Sequence, residues 1–156
     1  MNKSGKDIKE LLLKSGVRPS YHRIRIYDDL LRKNDHPTAE EIFLRMSSEL
    51  PTLSRTTVYN TVNALRDAGL IRALFVEDQE ARYDAVTELH GHFRCTECGK
   101  ITDFPVQVLS PIPDILAGCH VAEQGIYLKG VCRRCNNGWQ SSGKRNYVSN
   151  QQATPS

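Results

Sequence analysis

Two Cys-x-x-Cys pairs, Cys95 with Cys98 and Cys132 with Cys135, constrain this chain more than any other feature. A CxxC turn can direct two thiolates at one ion while its backbone amides bond the sulfurs, and two such turns complete the tetrahedral shell of a structural zinc. The chain between the pairs must therefore fold back until the turns meet. That interval is longer than in a compact zinc ribbon, so a helix and a strand must fit inside it. Four sulfurs leave no open coordination place, which makes the metal a staple rather than a catalyst. The alternatives are two disulfides, idle thiols or a redox CxxC. A reducing compartment favours metal over disulfides, and two copies without a thioredoxin-like setting argue against redox chemistry. The fifth cysteine, Cys119, lies between a predicted helix and a predicted strand. There a lone cysteine behaves as a small apolar residue, and it is expected in the core.

The rest of the composition narrows the class without naming a function. A chain of 156 residues suits one ordinary domain or two small lobes, each near the lower limit of independent stability. No stretch has the eighteen or so apolar residues that a membrane span needs. The opening MNKSGKDIKE lacks the apolar middle region of a signal peptide, so the default address is cytoplasmic. A net charge of +3 is too small to argue for nucleic acid by itself; the placement of the basic residues must carry that argument.

Residues 6–14, KDIKELLLK, read as a short amphipathic helix broken by Gly16 and Pro19. A second helix, about Ser20 to Lys33, places Ile24, Tyr27 and Leu31 on one face. After the turn NDHP, Thr38 and Glu41 have the form of a capping box, with Ile42, Met46 and Leu50 at helical spacing and Pro51 as the stop. Ser54 can cap a fourth helix whose buried stripe is Val58, Val62 and Leu65 and whose end is Gly69. That stripe leaves Arg55, Thr56, Tyr59 and Asn63 exposed. Then LIRALFV and ARYDAV flank the polar turn EDQE as a hairpin. Helices followed by a hairpin make a winged helix-turn-helix. Beyond about Val86 come short strands in HFRC, KITDF and GIYLKGVC, and a helix near Pro113 to Gly118. The end, GWQSSGKRNYVSNQQATPS, has few apolar residues and is expected to be disordered. The expected fold class is α+β: a winged helix-turn-helix over residues 1–85, a small α/β domain with a four-cysteine zinc site over 86–137, and a tail over 138–156.

A second set of donors interleaves with the first cysteine pair in HGHFRCTECGKITDF. His90 and His92 are one residue apart on a predicted strand, so both rings can point to one side. Alone they would be weak evidence for a metal. Asp84, Asp103 and His36 strengthen the case, and imidazole with carboxylate suits iron(II), manganese(II) or zinc.

The stretches SRTTVYNTVNALRDAGLI, HPTAEEI, HGHFRCTECGKITDF and CRRC, found along about residues 8–136, together resemble the ferric uptake regulator (Fur) family of metal-dependent transcriptional regulators. The resemblance implies a homodimer whose winged helix binds double-stranded DNA at a palindromic operator, and whose second lobe carries zinc and dimerises. It implies a regulatory metal at the junction of the lobes, held by His36, Asp84, His90, His92 and Asp103. Many members have an additional site using residues interleaved with the HxH segment. Leu89 and Gly91 in the flanking positions, and Gln124 where a histidine is common, make that site absent or incomplete here.

One regulatory site with Asp at position 103 looks most like the peroxide-responsive branch, in which iron(II) reacts with hydrogen peroxide and a ligand histidine is modified. By that analogy His36 and His90 are the oxidation-sensitive residues. Iron or manganese sensing without peroxide chemistry is the alternative. For DNA, the exposed face of the fourth helix offers Arg55, Thr56 and Tyr59, and the resemblance also points to Tyr59. Asn60 stands where relatives often carry Arg, while Arg18 and Arg23, near the second helix, can reach phosphates. No enzymatic activity is expected. A metal-dependent hydrolase or redox enzyme would need an open metal position facing a substrate pocket, and a zinc-stapled interaction module would bury Tyr59 and Arg55 against a partner.

Overall fold

The computed structural model describes residues 5–75, 80–106, 114–121 and 125–136. The turn residues 77–79, Pro113, Gln124 and the segment 138–156 lie outside them. The chain divides after Glu88 into two compact units.

In the first unit, α1 (Gly5–Lys14) buries Ile8 and Leu12 completely. Gly16 ends it with φ of 75°, a conformation that costs glycine nothing, and the Val17 amide returns to the Leu12 carbonyl at 2.8 Å. Next, α2 (Tyr21–Lys33) starts at Ser20, whose side chain accepts from the Arg23 amide. Its buried residues are Ile26, Tyr27 and Leu30, while Ile24 and Leu31 sit only partly buried at the margins. The expected row of Ile24, Tyr27 and Leu31 thus faces the core, and Ile26 and Leu30 widen it. Because α2 packs against both α1 and α4, its apolar face is wider than one row.

The capping box forms as expected: Thr38 Oγ1 accepts from the Glu41 amide at 3.1 Å, and the Glu41 carboxylate accepts from the Thr38 amide at 2.8 Å. The helix it opens, α3 (Ala39–Met46), stops at Ser47 rather than at Pro51. A further hydrogen-bonded turn, Leu50 N–H to Met46 C=O at 2.9 Å, still carries Leu50 into the core. In α4 (Arg55–Asp67), capped by Ser54, the residues Val58, Val62 and Leu65 are fully buried. Burying each such side chain contributes about 1.5–3 kcal/mol. Asn63 is half-buried rather than exposed. Strands β1 (Arg72–Phe75) and β2 (Ala81–Asp84) form an antiparallel hairpin in the register Arg72 opposite Asp84, which completes a helix-turn-helix with a wing.

The second unit is a three-stranded sheet in the order β4-β3-β5, from β3 (His90–Cys95), β4 (Ile101–Pro105) and β5 (Ile126–Gly130). Central β3 is antiparallel to β4 and parallel to β5. The helix expected over Pro113 to Gly118 is a single 3-10 turn, Asp114–Leu116. Three residues offer no face to bury, and residues 114–121 are exposed, Ile115 at 90%. Cys119 is accordingly exposed, not in the core. After β5 a four-residue helix, α5 (Arg133–Asn136), closes the second CxxC turn.

A close approach fixes Gly91. A Cβ built there would lie 2.2 Å from the Phe104 ring, which packs over the backbone between the two histidines. Gly91→Ala is expected to displace Phe104 and lower the melting temperature of the second unit, while the helical signal of the first melts as before. Heteronuclear NMR during a thermal ramp reads both.

Candidate functional site

The four cysteines converge. Their sulfurs all lie within 4.8 Å of one another, and Cys98 Sγ is 3.9 Å from Cys132 Sγ. Zinc–sulfur bonds of about 2.3 Å in a tetrahedron set sulfurs roughly 3.8 Å apart, so the cluster fits zinc with little adjustment, and none of the cysteines is in a disulfide. Cys95, at the end of β3, is fully buried and accepts the Cys132 amide at 3.3 Å, which joins the two turns. That amide, with a second from Cys98, lowers the Cys95 thiol to about 6. Cys135 is pushed up to about 12, chiefly by the side chains of Cys132 and Cys98. One thiolate is thus favoured by donated amides and another opposed by neighbouring sulfur, the imbalance that a divalent cation removes.

The nitrogen and oxygen donors also gather, in each unit separately. In the second unit, β3 places His90 and His92 on one side of the sheet, and β4 sets Asp103 directly opposite His92. His90 Nε2 and His92 Nε2 are 2.9 Å apart, and Asp103 Oδ1 lies 3.9 and 3.8 Å from them. Metal–nitrogen and metal–oxygen bonds of about 2.1 Å put neighbouring ligand atoms roughly 3.0–3.4 Å apart, so these three atoms suit one ion once the Asp103 carboxylate closes in by roughly half an ångström. Sequence reading did not find Tyr127, whose ring stacks on His92 with centroids 5.5 Å apart and planes 18° apart. Only the parallel pairing that sets His92 opposite Tyr127 brings them together.

In the first unit, His36 is 2% exposed and sits in the turn before α3 with φ of 50°. A non-glycine residue there stores strain on the order of 1–3 kcal/mol, and the surroundings hold it. Arg82 Nη1 donates to the His36 carbonyl at 2.9 Å and pairs with Glu41, while the Tyr83 amide donates to the Pro37 carbonyl. These bonds pin β2 to the turn, so that Asp84 Oδ1 lies 3.9 Å from His36 Nε2. Buried Asp84 also accepts the Val86 amide at 2.8 Å.

On α4, Arg55, Thr56, Tyr59 and Asn60 are exposed, Tyr59 at 44%. Arg55 is held by Glu40, an ion pair that the sequence did not reveal. That pair lowers the Glu40 carboxyl and raises the Arg55 guanidinium, in each case first through the hydrogen bonds between them. Arg18 is exposed, whereas half-buried Arg23 spends Nη1 on the Arg18 carbonyl at 2.8 Å, tying down the entry to α2.

The chain as a whole has relatives among known proteins. The chain is 34% identical over 134 residues to the peroxide operon regulator of Bacillus subtilis (strain 168), covering 84% of this chain and 92% of that one. It is 33% identical over 129 residues to the peroxide-responsive repressor PerR of Staphylococcus aureus (strain USA300), covering 81% and 87%. Among solved structures, the Helicobacter pylori ferric uptake regulator Fur, described as having three functional metal binding sites, matches with a TM-score of 0.65 at 23% identity, over 86% of this chain and 95% of that one. The ferric uptake regulator family profile matches residues 14–127, and the chain belongs to that family.

Proposed function

We propose that this chain is a metal-dependent DNA-binding transcriptional repressor that senses peroxide, working in the cytoplasm as a homodimer on a palindromic operator. The observation that carries the reading is the convergence of His90, His92 and Asp103 beside a separate four-cysteine cluster. Two donor sets of different softness call for two metals with different roles. Two curated relatives named for peroxide response support the choice of signal. No helix among the described residues is long and apolar enough to cross a membrane.

In this reading Cys95, Cys98, Cys132 and Cys135 hold zinc permanently. His36, Asp84, His90, His92 and Asp103 hold an exchangeable iron(II) or manganese(II). When bound there, iron(II) would offer one-electron reduction of hydrogen peroxide, and the ligand imidazole that gains an oxygen atom would supply the remaining reducing equivalents, the second oxygen leaving as water. The imidazoles bind through neutral-ring lone pairs, and the carboxylates offset the ion's charge. Binding of that ion favours the DNA-competent state of the chain. A ligand shifts such an equilibrium only by its differential affinity for the two states. His36 and His90 are the proposed targets of oxidation, and losing one as a ligand removes that differential.

DNA is read by α4, through Arg55, Thr56, Tyr59 and Asn60, with Arg18 and Arg23 near the phosphates. Two recognition helices related by a dimer axis read a palindrome. Tyr59→Ala is expected to weaken operator binding roughly tenfold to a hundredfold, as loss of a base-edge contact does, with metal content unchanged. Fluorescence anisotropy with operator and random duplexes tests the whole reading. Binding should need iron(II) or manganese(II) and favour the palindrome; equal binding to both duplexes at moderate salt would refute it.

A further inference from the structure

The first residue of α4 has its guanidinium held on two sides by α3. Glu40 accepts from Arg55 Nε at 2.8 and 3.2 Å and from Nη2 at 2.7 Å, while the Phe43 ring lies under Arg55 Cζ at 4.3 Å. The side chain nevertheless remains 58% exposed. A surface arginine that only solvates has no need of a bidentate carboxylate and an aromatic plate together.

We propose that Glu40 and Phe43 pre-orient Arg55 as a guanine-reading side chain, with Glu40 acting as a positioning residue for base specificity. The inference rests on the DNA-binding reading and deepens it. A guanidinium presents two forked edges. The Nε and Nη2 edge is committed to Glu40, while Nη1 makes no hydrogen bond among the described residues. The outer edge, Nη1 with Nη2, therefore points away from the carboxylate as a fork of fixed direction. Guanine offers O6 and N7 as a matching pair of acceptors in the major groove. The N-terminal residues of a recognition helix are those that meet base edges there, and Arg55 opens this one.

A phosphate contact would be served as well by a freely swinging arginine. A carboxylate beside it would only repel the backbone. Glu40 thus costs general affinity and returns orientation. Removing its charge while keeping its shape should let Arg55 swing, so general affinity holds or rises while discrimination falls. A purely structural role for the pair would instead lower affinity for every duplex in parallel.

The test is selection from a randomised palindromic duplex library by the full-length, metal-loaded protein, followed by affinity measurements on the selected duplex and its single-position variants. Wild type should select guanine at one symmetric pair of positions and lose roughly tenfold or more in affinity when that base is replaced. Arg55→Lys and Glu40→Gln should flatten the preference at that pair and leave the others intact. Glu40→Gln should bind random duplex at least as well as wild type does. If both variants keep the wild-type preference at every position, or lose affinity for all duplexes alike, this assignment falls and the DNA-binding reading stands. If wild type selects no sequence, both fall.

Discussion

Cys95→Ser is expected to release one zinc per subunit, unfold the second unit and weaken the dimer, while the helices of the first unit persist. The asymmetry follows from where the apolar burial is. In the first unit, α1 to α4 and the hairpin enclose a continuous core that runs from Ile8 to Tyr83. In the second, the buried residues among those described are Gly91, His92 and Cys95, which cannot offset the entropy of ordering a sheet. Zinc can: binding to small structural sites is worth about 10–16 kcal/mol at neutral pH, and in such units binding energy is also folding energy. Cys95 is the most consequential ligand to remove, because it is fully buried and accepts the Cys132 amide that joins the two turns. Zinc content, sedimentation and amide chemical shifts measure the three effects. Full zinc with an intact dimer in the variant would remove the assignment.

Local chemistry made much of this molecule legible in advance. Ser54 and the Thr38–Glu41 box announce helix starts because the orphan amides of a first turn demand such acceptors. Gly69, with φ of 69° after α4, ends that helix for an equally local reason. Alternation on a strand was enough to put His90 and His92 on one side. What failed depended on neighbours. The buried face of α2 extends past the expected row to Ile26 and Leu30 because two helices pack on it. The stop of α3 at Ser47 precedes the proline because residues 47–50 continue as a turn. Cys119 is exposed because the segment before it is one 3-10 turn, too short to present a face. Tyr127 on His92 and Glu40 on Arg55 are pairings across elements, fixed by strand register and helix packing. No pattern along the chain encodes them.

The second large effect concerns the signal, where iron and manganese forms should part. Both ions suit imidazole and carboxylate donors, so both forms should bind the operator. Hydrogen peroxide should abolish binding by the iron(II) form only, since manganese(II) does not readily give up one electron to peroxide. Ligand rings are in direct contact with the ion and should be oxidised before more distant side chains. The zinc thiolates, enclosed in a filled shell, should remain reduced at low dose. A histidine-centred sensor therefore predicts a separation in the products, not only in the kinetics of release. The decisive measurement is peptide mass mapping of the iron(II)-loaded protein, prepared without oxygen and exposed to a small excess of peroxide, with operator binding followed in the same samples. The expected result is one added oxygen on a peptide containing His36 or His90, rising in step with loss of binding, and neither change in the manganese form. Operator release that instead tracks oxidation of Cys95 or Cys132, with both histidines intact, would make the sulfur cluster the sensor and contradict the division of roles between the two sites.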